Sequence, residues 1–323
     1  MYLGAHLGIA GGLGEAVREA RRIGCDSLQI FAKSPQMWKG PPISKEAALE
    51  FRTAVKDSGL KATAVHHGYL LNLGNPDESR LRQSRIAFRD ELERAELLGV
   101  DALVFHPGAH LGSGSDAAVG RIAASLTEAI EATAGYKVRA LVENSAGQGT
   151  TIGSTFEELA AILQRVGDPQ RVGVCLDTCH LFAAGFDFRT PEGYAAMIDR
   201  LQSTVGLDAV HAFHLNDAKA PLGSHLDRHE NIGRGEIGLD GFRQLVTDAR
   251  WAQVPGYLET PLDDRGYARY AEDLVTLRSL ISGPSPRAAS AARPRASRGK
   301  AAVGLPRVRA MYAPARPARR RKA

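Results

Sequence analysis

The sequence predicts a closed (β/α)8 TIM barrel, a single domain over residues 1–282 with a disordered basic tail over residues 283–323. Two observations carry the barrel. A short apolar run followed by an amphipathic helical stretch recurs eight times, which means parallel strands joined by right-handed crossovers. Seven of the eight runs end in His, Asp or Glu. Barrel strands deliver their C-terminal residues to one common mouth, whereas the alternative, an open doubly wound sheet, would spread them along a line. A change of composition at Gly283 sets the boundary.

In chain order, the strand candidates are YLGAH ending at His6, SLQIF at Phe31, ATAVH at His66 and ALVFH at His106. RALVE ending at Glu143, VGVCLD at Asp177, HAFH at His214 and GYLE at Glu259 follow. Between them lie helical patterns such as GEAVREARRIG, SKEAALEFRTAVKDSG, ESRLRQSRIAFRDELERAELLG, DAAVGRIAASLTEAIEATAG and GYARYAEDLVTLRSLIS. Most close on Gly, a residue suited to the left-handed turn that ends a helix.

Composition narrows the class. With 44% apolar residues in a chain of 323, there is ample material for a core. No apolar run is long enough to span a bilayer, and the start MYLGAHLGIAGG lacks the features of a secretory signal. A cytoplasmic location without membrane association is therefore expected. Three cysteines, an odd number, suit a reducing compartment. From Gly283 onward the chain carries twelve Lys or Arg and no acid, so removing them from the formal net charge of +5 leaves residues 1–282 near −7. Rich in Pro, Ala, Gly and Arg, the tail has little to bury. It reads equally as a sequence-blind attractor of nucleic-acid phosphates or as a solubilising extension, and PARRRKA also has the form of a nuclear address.

The stretch VGVCLDTCHLFAAG packs Cys175, Asp177, Cys179 and His180 into six positions. Three residues separate the thiols where covalent haem attachment needs two, which argues against haem. Either the cysteines are ligands, or they are small apolar fillers and the chemistry belongs to Asp177 and His180. Strand alternation places Cys175 on the side of Asp177 but about 6 to 7 Å deeper in the barrel.

His66, His106, Glu143, Asp177, His214 and Glu259 all come from different strand ends. Imidazole with carboxylate is the ligand chemistry of zinc and its neighbours, and burying so many ionisable groups without cations would be costly. His180 lies three residues past Asp177, in the turn leaving its strand. In HLNDAKAPLGSHLDRHENIGRGEIG, Asp227 and His229 are separated by one residue, a spacing that lets both turn toward one ion from an extended loop or serves an ordinary solvated loop equally well. The glycine-rich finish NIGRGEIG lets this loop pack closely around something.

HHGYLLNLG, FHPGAH, VENSAGQG, CLDTCHLFAAGFD, FHLNDAK, DRHENIGRGEIG and LET resemble, in order, the motifs of the endonuclease IV family of apurinic/apyrimidinic (AP) endonucleases, from about Tyr2 to residue 280. The resemblance implies a trinuclear zinc site at the barrel mouth. His66 and His106 would bind a first Zn²⁺ that Glu143 bridges to a second. Asp177, His214 and Glu259 would complete the second ion, and His180, Asp227 and His229 would hold the third. His67 is then an ordinary loop residue, and Cys175 and Cys179 are buried fillers. Mn²⁺ accepts the same ligand types and suits some of the positions.

The implied activity is hydrolysis of the phosphodiester 5′ to an abasic site in duplex DNA, leaving a 3′-hydroxyl and a 5′-deoxyribose phosphate, as in base excision repair. Three divalent ions against four carboxylates leave the site near +2, attractive to a phosphate even in an acidic barrel. A water shared by two zinc ions about 3.5 to 4 Å apart supplies the hydroxide, so no side-chain base is required, and Glu143, which sets that spacing, is the catalytic residue. The loops AKSPQMWKGPP and HHGYLLNLG should face DNA, with Tyr69 as a wedge and Gln36 standing where many relatives carry Arg. Lys33 and Lys39 read either as phosphate contacts or as plain surface charges. A monomer is expected, because clamping a duplex needs a free barrel mouth. The rival enzyme, a sugar isomerase or epimerase, has no evident need for the trio His180, Asp227 and His229. A non-catalytic binder acting through the basic arm is the rival from another class.

Overall fold

The computed structural model describes residues 1–282. The tail from Gly283, with its expected disorder and the boundary before it, lies outside the described residues. Among the described residues, strands and α-helices follow one another in the order β1 (Tyr2–Leu7), α1 (Leu13–Arg22), β2 (Ser27–Phe31), α2 (Lys45–Ser58), β3 (Ala62–His66), α3 (Glu78–Leu98), β4 (Ala102–Phe105), α4 (Ser115–Ala132), β5 (Arg139–Glu143) and α5 (Phe156–Val166). Then come β6 (Val172–Asp177), α6 (Thr178–Ala183), α7 (Pro191–Thr204), β7 (Val210–His214), β8 (Asp217–Ala218), β9 (His229–Glu230), α8 (Gly238–Val246), β10 (Pro255–Leu258) and α9 (Ala268–Ser282). Eight parallel strands close into a barrel in the order β1-β10-β7-β6-β5-β4-β3-β2. Closure is made by β1, which pairs in parallel with both β2 and β10.

Strand alternation divides the apolar residues into two cores. Outward-facing residues such as Val65, Leu103, Val142, Val174, Leu176, Phe213 and Leu258 pack against the helices in one large cluster. Inward-facing residues form a small plug of Ala64, Ala102, Val104, Leu141, Cys175, Ala212 and Tyr257. The next inward position, two residues further along each chain, is His66, His106, Glu143, Asp177, His214 or Glu259. The period of two thus lifts these six polar side chains onto one floor above an apolar plug. Cys175 belongs to the plug, and the burial that surrounds it pushes its thiol up to about 11.

Helix ends follow local chemistry. Ser44, Asp77, Thr155 and Thr190 accept a backbone N–H in the first turn of α2, α3, α5 and α7, and Gly59, Gly99 and Gly167 close α2, α3 and α5 in the left-handed conformation. Two features depart from the sequence reading. The expected turn after Asp177 is the short helix α6, so His180 stands in a helical first turn. Within the loop after β7, Asp217 and Ala218 pair antiparallel with Glu230 and His229, a two-residue ladder too short to leave a periodic signal.

Candidate metal centre

Glu143 stands at the centre of the barrel mouth, fully buried. Its two oxygens divide the surrounding imidazoles between them. Oε2 lies 3.1 Å from His66 Nε2 and 3.4 Å from His106 Nε2, while Oε1 lies 3.0 Å from His214 Nδ1 and 3.3 Å from His180 Nδ1. Asp227 reaches in from the loop after β8, with Oδ2 3.2 Å from His180 Nε2 and Oδ1 3.1 Å from His229 Nε2. His214 Nδ1 also lies 3.4 Å from Glu259 Oε2 and 3.8 Å from Asp177 Oδ2. Seven of the nine side chains, all but the fully buried Asp177 and His214, line one cleft of about 380 Å³, which Phe31 and Tyr69 also line. His106 is the most exposed of the imidazoles, on the open side.

Electrostatics ties the cluster together. Burial pushes the Glu143 carboxyl up, but the imidazoles of His106, His214 and His180 outweigh it and hold the group well below the usual carboxylate range. Conversely, burial pushes His180 down, and the carboxylates of Asp177, Asp227 and Glu143 raise it well above the ordinary imidazole value. His229 is raised to about 9, its burial outweighed by Asp177 and Asp227.

The donor set fits divalent cations. His66, His180 and His229 each direct Nδ1 at a main-chain carbonyl, those of His67 (2.7 Å), Asn144 (2.9 Å) and Glu259 (3.2 Å). That leaves Nε2 facing the cleft, the tautomer a metal-binding imidazole needs. The Nε2 atoms of His180 and His229 are buried and, although Asp227 lies 3.2 and 3.1 Å away, make no well-aligned hydrogen bond. Orphaned nitrogens close to a carboxylate are costly unless a cation joins them. Groups whose ligand atoms lie within 4.8 Å of one another include His66 with His106 and Glu143, His66 with His214 and Glu259, Glu143 with Asp177 and His180, and His180 with Asp227 and His229.

Side chains that the sequence reading left out hold this arrangement. Asp177 is the N-cap of α6, and its Oδ1 accepts the backbone N–H of His180 at 2.8 Å while Oδ2 accepts Asn216 Nδ2 at 2.6 Å. Asn216 Oδ1 accepts the backbone N–H of Glu259, and Asn144 Oδ1 accepts that of Asp177. Asp217 is what the glycine-rich finish packs around: its carboxylate accepts the N–H groups of Gly233, Gly235 and Ile237 at 2.9 to 3.0 Å. A Cβ on Gly235 would sit 2.4 Å from the Ala218 carbonyl and 2.6 Å from Asp217 Oδ1, so only glycine fits. His6 lines the cleft with a buried, unpartnered Nε2. Its place at a strand end was legible, whereas the asparagines carry no signal of their own.

The DNA-facing expectations fall on two loops that touch. Tyr69 is 68% exposed, its ring edge-on to Phe31 at 5.8 Å, and its backbone N–H donates to the Pro35 carbonyl. Gln36 is exposed on the neighbouring loop, as are Met37 and Lys39. Lys33 is neither a phosphate contact nor a surface charge. Its side chain is 1% exposed, and Nζ lies 3.0 Å from Asp90 and 2.9 Å from Glu91 on α3. His67 is buried against Phe88, and desolvation lowers its pKa to about 4, so it stays neutral. Cys179 is buried, with Sγ 3.6 Å from the Arg228 carbonyl.

A closed parallel barrel with carboxylates and imidazoles gathered at its C-terminal mouth defines a recognisable class. The family model described as a xylose isomerase-like TIM barrel matches residues 17–280. Probable endonuclease 4 of Chloroflexus aurantiacus is 43% identical over 280 residues, covering 87% of this chain and 98% of the relative. Its counterpart from Geobacter sulfurreducens is 45% identical, covering 87% and 94%. The crystal structure of endonuclease IV from Thermus thermophilus superposes with a TM-score of 0.77 at 35% identity, covering 87% of this chain and 99% of that one. The chain belongs to the endonuclease IV family, and it is an enzyme of the nuclease class.

Proposed function

We propose that this enzyme is a metal-dependent AP endonuclease that hydrolyses the phosphodiester 5′ to an abasic site in duplex DNA, leaving a 3′-hydroxyl and a 5′-deoxyribose phosphate. The observation that carries the reading is the placement of Glu143, one buried carboxylate whose two oxygens face separate pairs of imidazoles. His66, His106 and Glu143 would hold one Zn²⁺, Glu143 with Asp177, His214 and Glu259 a second, and His180, Asp227 and His229 a third, with Mn²⁺ acceptable at some positions. Bound there, such ions supply a hydroxide at neutral pH and offset the charge that develops on the phosphate.

The chain's own residues do the rest. Glu143 keeps the two donor sets at a fixed separation, and Asp177, locked by His180 N–H and Asn216, cannot swing away from the cleft. Asp227 and His229 line the same cleft as Tyr69. Tyr69, exposed beside the cleft, would fill the space left when an abasic sugar leaves the stack, and Gln36, exposed on the neighbouring loop, would lie against the duplex. The trio of His180, Asp227 and His229 favours this reading over a sugar isomerase, which needs fewer ions.

A nicking assay on intact and abasic duplex, with and without a chelator, tests the proposal. The expected result is a single cut 5′ to the lesion, lost with chelator and regained with zinc. Nicking that survives complete metal removal, or none on abasic duplex by zinc-loaded protein, defeats it.

A further inference from the structure

Beneath the donor cluster lies Gln29, the middle residue of β2, completely buried. Its neighbours Leu28 and Ile30 face the helices, so its own side chain enters the barrel. A buried primary amide needs partners at both ends. Oε1 lies 3.1 Å from His214 Nε2, and Nε2 lies 2.8 Å from Glu259 Oε1. Chemistry fixes the orientation of the amide. A carboxylate oxygen only accepts, so the NH2 faces Glu259 and the carbonyl faces His214.

A carbonyl likewise only accepts, so His214 must carry a proton on Nε2 and present Nδ1 to the carboxylates of the cluster. Nδ1 is the nitrogen that lies near Glu143, Glu259 and Asp177. His214 is thus reversed relative to His66, His180 and His229, which anchor Nδ1 on main-chain carbonyls and face the cleft with Nε2. Gln29 stands where those three have a carbonyl. The same amide holds Glu259: Oε1 is engaged by Gln29 and lies 2.9 Å from His6 Nδ1, which leaves Oε2 turned toward His214 Nδ1.

We propose that Gln29 is a positioning residue of the metal centre, selecting Nδ1 of His214 and Oε2 of Glu259 as the ligand atoms for one ion. This rests on reading the cluster as a metal centre. Groups behind a ligand typically change metal affinity 10- to 100-fold when removed.

Two measurements test it. In zinc-loaded protein, nitrogen NMR of the histidine rings should show His214 bearing hydrogen on Nε2 and zinc on Nδ1; zinc on Nε2 overturns the proposal. In Gln29→Met, which keeps the length and loses both polar ends, one ion should be held roughly 10- to 100-fold less tightly against a competing chelator than in the parent, the others with unchanged affinity. Unchanged affinity for every ion in a folded Gln29→Met protein overturns it, and the NMR measurement on the unaltered chain decides if that variant does not fold. Protein that takes up no zinc at all defeats the metal-centre reading itself, which the zinc count of the unaltered chain reveals beforehand.

Discussion

Asp177 Oδ1 accepts the backbone N–H of His180 at 2.8 Å, so one candidate ligand caps the helix that presents another. The three-residue spacing of these two side chains is therefore a helix start as well as a donor pair. Since Oδ2 is engaged by Asn216, both oxygens are needed as acceptors. Asp177→Asn offers one acceptor oxygen to two donors and should lower stability by about 1–3 kcal/mol, read by urea unfolding of chelator-treated protein. No change in the midpoint would show that the cap is dispensable.

Glu143→Gln keeps the size of the side chain and removes the charge shared by four imidazoles. It should still bind abasic duplex in a gel shift while losing most nicking. Near-normal turnover by a fully metal-loaded variant would remove Glu143 from its assigned place.

Lys33 joins the loop that carries Gln36 to α3 through a buried ion pair. Taking away one partner of such a pair leaves uncompensated charge in the interior, so Lys33→Ala should cost about 3–5 kcal/mol of stability. A phosphate contact would instead change the salt dependence of DNA binding and leave unfolding untouched. Denaturation and salt-titrated binding of the same variant separate the two.

Tyr69 is mostly exposed, so Tyr69→Ala should leave unfolding within about 0.5 kcal/mol of the parent. If its ring fills the gap at an abasic site, loss of stacking worth about 1–3 kcal/mol should weaken binding to abasic duplex roughly 5- to 150-fold. Equal binding by both proteins would make it a bystander.

Burial pushes the thiol of Cys25 up to about 12, that of Cys175 to about 11 and that of Cys179 to about 12. At pH 8 almost none of each is thiolate, the reactive form. Iodoacetamide should leave all three unmodified in the folded protein and alkylate all three after unfolding, as counted by mass spectrometry. Rapid labelling of Cys179 in the native state would contradict its packing beneath the Arg228 carbonyl.

Much of the fold was legible because strands and helices write their periods into the chain. SLQIF, ATAVH, RALVE and VGVCLD coincide with β2, β3, β5 and β6 residue for residue. Helix α6 and the β8–β9 ladder were not legible, since six residues of helix make fewer than two turns and two residues of strand do not complete one alternation. Lys33 was misplaced for a related reason: a lysine in a polar loop looks solvated until α3, more than fifty residues on, brings Asp90 and Glu91 against it.

By itself the sequence determined which strand-end side chains stand at the barrel mouth, because alternation along a strand is a local property and closure brings the strand ends together. Only the tertiary structure decided which atoms face the cleft. Whether an imidazole offers Nδ1 or Nε2 depends on which acceptor stands behind it, a His67 carbonyl for His66 and the Gln29 amide for His214. Such acceptors come from residues near or far in the chain, and hydrogen bonding is too short in range and too directional to be read from spacing alone.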